Sequence, residues 1–113
     1  MMDAVNLIGL ATCDTCRKAR AALEATGVEV WFRDVRAEPP GRDEITDWLA
    51  SFGEALVNRR STTWRGLDEA ARAAEPVDLL LAHPTLMKRP VLIRGDRRHL
   101  GWDKAAPAAL GLG

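Results

Sequence analysis

The chain has 113 residues, 16 basic against 16 acidic, with 47% hydrophobic and 28% charged residues. This is one domain's worth of sequence with enough apolar mass for an ordinary core, which excludes intrinsic disorder as the general state. Balanced charge gives no global positive field, and no apolar run approaches the roughly 18 residues of a membrane span, so neither direct nucleic-acid binding nor membrane association is expected.

In chain order, Val5 to Leu10 is a short apolar run ended by polar residues and reads as a buried strand. Thr12 is the expected N-cap of the helix that follows, with Asp14 in its first turn. That helix takes in Arg17 to Glu24, and Gly27 supplies its left-handed end. Val28 to Phe32 reads as a second strand, which makes the opening a βαβ unit. Pro39-Pro40-Gly41 breaks the pattern. Beyond it, Ile45, Trp48, Leu49 and Phe52 share one helical face, and Glu54 to Asn58 allows another turn or two. Trp64, Leu67, Ala71 and Ala74 repeat the helical spacing, and Pro76 opens a short helix through Ala82. Pro90 to Ile93 and Arg98 to Leu100 read as strands joined by a Gly95-Asp96 turn, and Asp103 is the expected cap of a last helix through Leu110.

This order predicts an α/β fold of thioredoxin-like plan, β-α-β followed by β-β-α, with an all-helical insertion between the halves. A single domain spans 1–113, its thioredoxin-like parts being about 4–35 and 88–113 and its insertion about 41–84. The opening residues, Met1 to Asn6, lack a basic region followed by an apolar run, so a cytoplasmic location is expected. A monomer is the expected state.

The two cysteines lie in Cys13-Asp14-Thr15-Cys16, at the junction of the first strand and helix. Unpaired N–H groups and the helix dipole stabilise a thiolate there, and such cysteines have pKa values lowered from about 8.5 to roughly 3.5–7.5. Cys13 is the expected nucleophile and Cys16, one turn on, the resolving thiol. Asp14 opposes the thiolate, and Arg17 offsets Asp14. Two alternatives stay open: a pair of inert buried thiols, and half of a zinc site. Zinc would need two more ligands, and His83 and His99 match no zinc spacing. Arg89 precedes Pro90, a candidate cis peptide that would face the start of the first helix in this plan. The planar fork of Arg89 suits an oxyanion held near the thiolate. Arg59 and Arg60, before a Ser-Thr-Thr loop, are further anion-ligand candidates; the alternative for all three arginines is a solvated charge or ion pair.

Cys13-Asp14-Thr15-Cys16-Arg17-Lys18-Ala19-Arg20 resembles the nucleophile motif of the ArsC/Spx family. Asn58 to Asp68 is similar to its YffB-like branch, and His83-Pro84 through Met87-Lys88-Arg89-Pro90-Val91-Leu92-Ile93 resembles another family segment. Leu100-Gly101-Trp102 matches the family's ending, so the resemblance covers about residues 5–104. It implies a thioredoxin-like fold with a helical insertion, Cys13 as nucleophile, Arg89 as oxyanion ligand and a cis Arg89–Pro90 bond. Thr12, as the helix cap, and Pro90 are the expected structural residues at the site. Arsenate reductases of this family place an arginine where Asn58 aligns and another where this chain has Leu100-Gly101-Trp102. The implied activity is a thiol-dependent reductase acting on an oxyanion or oxidised thiol. It would have no tightly bound cofactor, with glutathione as co-substrate and glutaredoxin or thioredoxin as partner. The Cys13/Cys16 pair followed by Arg17-Lys18 is also similar to Spx-type regulators, which implies as an alternative a redox switch binding RNA polymerase.

Overall fold

The computed structural model describes residues 4–112. Its elements in chain order are β1 (Val5–Gly9), α1 (Asp14–Ala25), β2 (Val30–Asp34), α2 (Arg42–Phe52), a 3-10 turn (Gly53–Leu56), α3 (Thr62–Arg65), α4 (Glu69–Arg72), α5 (Pro76–Ala82), a second 3-10 turn (Pro84–Leu86), β3 (Val91–Arg94), β4 (Arg97–Leu100) and α6 (Ala106–Ala109). The described residues of 1–37 and 89–113 make one compact unit, and 38–88 make another. No helix among the described residues is long and apolar enough to cross a membrane.

The first unit is built on a four-stranded sheet of order β2-β1-β3-β4. β2 runs parallel to β1, from Val5 opposite Val30 to Gly9 opposite Asp34. β3 is antiparallel to β1, with Leu7 opposite Leu92, and β4 is antiparallel to β3. This is the thioredoxin-like α/β arrangement expected. The core clusters Val5, Leu7 and Leu92 from the sheet with Cys16, Ala19 and Leu23 of α1, and with Ala106 and Leu110 from the chain end. Their spacing explains α1: positions 16, 19 and 23 fall on one helical stripe, and the rest of the helix is exposed. Burying a leucine such as Leu7 or Leu23 contributes roughly 1.5–3 kcal/mol.

Three boundaries move. Cys13, not Thr12, is the N-cap of α1; the backbone is still extended at Cys13 (φ −87, ψ 119) and turns helical at Asp14. The second strand runs two residues later than the Val28–Phe32 expected, because Glu29 is the lead-in whose carbonyl accepts from Val5 N–H at 2.8 Å. The last helix is capped by Ala105 rather than Asp103. Asp103 Oδ1 instead accepts from Ala105 N–H at 3.0 Å and contacts His99 Nε2 at 2.9 Å. The end of α1 follows expectation: Gly27 sits at φ +90 and its N–H donates to Glu24 at 3.0 Å.

Between β2 and β3 the described residues form helical turns and one isolated antiparallel bridge, Val57 to Met87. The bridge is flanked by Asn58 N–H to Leu86 O at 2.8 Å and Lys88 N–H to Leu56 O at 2.7 Å. α2 buries Ile45 and Trp48 of its predicted face, while Leu49 and Phe52 are half-buried. The spacing from Trp64 to Ala74 resolves into two single turns. Ser61 Oγ caps α3 at Trp64 N–H (3.1 Å), and Asp68 Oδ1 starts α4 afresh at Ala71 N–H (2.8 Å).

Candidate active site

β1 ends at Gly9, and the chain turns through Leu10–Cys13 into α1, closed by Cys13 N–H to Leu10 O at 3.1 Å. The Cys13 carbonyl accepts from Arg17 N–H at 3.0 Å, the first helical bond. The Cys13 thiol makes no capping bond of its own. It is half-buried and packs against the core cluster. Thr12 is exposed in the turn.

Burial works against a Cys13 thiolate, but it is outweighed. The backbone N–H of Cys16, the Cys16 side chain and the Arg89 guanidinium all hydrogen-bond the sulfur, and the charge of Arg89 adds to them. The net effect lowers the Cys13 pKa below its ordinary value of 9.0. Cys16 goes the other way. Burial, with the hydrogen bond and charge of Cys13 adding to it, pushes its pKa up to about 11. The two thiols are therefore shifted in opposite directions, Cys13 toward the anion and Cys16 toward the protonated donor. Cys16 is 2% exposed, and its Sγ lies against Gly9 so closely that a Cβ at Gly9 would collide with it. Beside Cys13, Arg17 pairs with Asp14, so the opposing carboxylate is met by the cation expected to offset it.

Arg89 reaches Cys13 from two residues before β3, the strand antiparallel to β1. The Arg89–Pro90 peptide is cis, Pro90 is buried, and Pro90 O accepts from Gly101 N–H at 2.8 Å. Cys13, Cys16 and Arg89 thus come together in the first unit, with Pro90 next to Arg89 in the chain.

Arg59 and Arg60 belong to the second unit. Arg59 lies 3.7 Å from Glu54 and 5.4 Å over the Trp64 ring. Arg60 is exposed, and its N–H donates to Asn58 Oδ1 at 3.0 Å.

The sequence reading missed Asp34. This residue ends β2 directly opposite Gly9, and its Oδ2 accepts from Ala11 N–H at 2.9 Å. Its Oδ1 accepts from Arg36 N–H at 2.7 Å and Ala37 N–H at 3.3 Å. The bonds from Ala11 and Arg36 foremost hold its carboxyl below the usual value of 3.8. Asp34 therefore ties the turn that carries Cys13 to the end of the neighbouring strand. What marks it is the register of β1 against β2, and the strand expected from the sequence stops short of it at Phe32.

A cysteine at a helix start, a guanidinium on its sulfur and a cis-proline before the third strand define a thioredoxin-like thiol site. The ArsC family profile matches residues 9–110, and the chain belongs to the ArsC family. A solved YFFB protein is 38% identical and covers 95% of this chain and 98% of its own, with a TM-score of 0.87. An arsenate reductase (ArsC) related protein from Brucella melitensis is 33% identical, covers 93% of this chain and 92% of its own, and has a TM-score of 0.73. The global transcriptional regulator Spx of Streptococcus pyogenes is 28% identical over 82% of this chain and 74% of its own length.

Proposed function

We propose that the protein is a thiol-dependent reductase related to arsenate reductases, with Cys13 as its nucleophile. The observation that carries this reading is the set of groups on one sulfur: the Cys16 N–H, the Cys16 side chain and the Arg89 guanidinium. Such a set favours the thiolate over the thiol, and Arg89 offers donors to an oxyanion arriving at that sulfur.

With arsenate, Cys13 sulfur bonds to arsenic and an oxygen leaves as water after taking up two protons. A second thiol, glutathione or Cys16, then attacks the Cys13 sulfur. The sulfur–arsenic bond breaks, its electron pair stays on arsenic, and arsenite and a disulfide result. An oxidised thiol would be reduced through a mixed disulfide with Cys13, resolved in the same way. No tightly bound cofactor is needed. Glutathione is the co-substrate in this proposal, and glutaredoxin or thioredoxin regenerates the enzyme.

The test is NADPH consumption with arsenate, glutathione, glutaredoxin and glutathione reductase, repeated with hydroxyethyl disulfide in place of arsenate. Turnover with either substrate that disappears in Cys13→Ser supports the proposal. Rates at background with both overturn it.

A second reading is a redox switch of the Spx kind, supported by the likeness to Spx and by the hydrogen-bonded Cys13/Cys16 pair. An oxidant would take two electrons and two protons from the pair to give a disulfide. Capture of RNA polymerase that depends on oxidant and on both cysteines would favour this reading. Equal capture with and without oxidant would remove it.

A further inference from the structure

In the second unit, Glu54, Ala55, Val57, Asn58, Arg59, Arg60 and Lys88 line a groove of about 580 Å³. The volume suits a small organic molecule. Three cations face one carboxylate there, and the carboxylate, Glu54, is already beside Arg59. Among the described residues, neither Arg60 nor Lys88 is ion-paired. Ala55 and Val57 supply apolar wall between the charged groups.

The groove is also held in shape. Its two walls are joined at the Val57–Met87 bridge and by the bond from Lys88 N–H to Leu56 O at 2.7 Å. The turn bearing Arg59 and Arg60 is locked by Asn58. Its side chain takes Arg60 N–H at 3.0 Å, and its carbonyl takes Ser61 Oγ at 2.9 Å. Glu54 and the Trp64 ring both hold the Arg59 guanidinium. Like charges gathered on a fixed frame repel one another, and a multiply charged anion relieves that repulsion with little ordering cost.

We infer that this groove is a binding site for a small polyanion, a molecule carrying two or more carboxylate or phosphate groups, bridged between Arg60 and Lys88. The site is separate in kind from the thiol chemistry of Cys13 and does not depend on the reductase proposal.

Calorimetric titration of the full chain at moderate ionic strength tests this, with pyrophosphate and citrate as the two probes. Saturable binding of pyrophosphate alone assigns the site to phosphates; binding of citrate alone assigns it to carboxylates. Binding of both leaves the shared chemistry standing. The double variant Arg60→Glu/Lys88→Glu should weaken binding by more than about tenfold, each tenfold being some 1.4 kcal/mol. Lys18→Glu/Lys104→Glu changes the net charge equally on exposed residues outside the groove and should leave binding intact. Three results would overturn the inference: no saturable binding of either probe, an equal loss in both double variants, or a loss on Arg89→Met, which would put the anion at the cysteine instead.

Discussion

Gly9 and Cys16 are in contact so close that only a hydrogen fits between the Gly9 backbone and the Cys16 sulfur. The end of β1 is thereby shaped around the thiol of α1. Replacing Gly9 with alanine must push α1 outward or twist Cys16 from its place. Gly9→Ala should lower stability by about 1–3 kcal/mol in urea unfolding. In a Cys16→Ala background the obstructing sulfur is gone, and the same change should cost clearly less. Equal costs in the two backgrounds would show that the contact does not set the geometry.

The divided pair predicts a pH signature. Alkylation of Cys13 by iodoacetamide, followed in a Cys16→Ala chain and in the native one, should reach half its maximal rate below pH 9 in the native protein. Both Arg89→Met and Cys16→Ala remove groups that stabilise the anion, so each should move the midpoint upward. An unmoved midpoint in Arg89→Met would show that the guanidinium does not act on the sulfur.

Cys16 should leave its own mark at alkaline pH. Its native pKa lies near 11 against 9.0 for an ordinary thiol, so the native state holds the proton more tightly. The resulting stabilisation is full below pH 9 and is lost as pH rises from 9 toward 11. Urea midpoints measured across that window should fall more steeply for the native chain than for Cys16→Ala.

Asp34 has the opposite sign. Its carboxyl is held low, so its contribution is present above the ordinary carboxylate value and is lost as pH falls through the lowered one. Asp34→Ala removes the acceptor of Ala11 N–H. Hydrogen exchange at Ala11 should accelerate severalfold in the variant while exchange at Leu23, in the α1 core, stays slow. Unchanged exchange at Ala11 would remove Asp34 as the tether of the cysteine turn.

The apolar runs at 5–10 and 90–93 and the stripe at 45, 48, 49 and 52 were legible because burial imposes a period on the sequence. The cysteine pair and Arg89 were legible because their chemistry is tied to a helix start and to a proline. The cap at Cys13 was not, since Thr12 is the better capping residue by type, and only the closure of Cys13 N–H onto Leu10 decides the position. The break between α3 and α4 was hidden by the continuous spacing of Trp64, Leu67, Ala71 and Ala74. Asp68 ends that continuity through a side-chain bond that periodicity does not register. Asp34 needed the register of β1 against β2, and a single strand does not carry that information.

Arg89 reaches the Cys13 sulfur only when β3 has joined β1, and the whole second unit lies between them in the chain. A ribosome therefore delivers the thiol long before the cation that sharpens it. Until β3 docks, the nascent chain carries Cys13 without the guanidinium that adds to its stabilisation as an anion. The last contribution to that sulfur therefore comes only with the completed sheet.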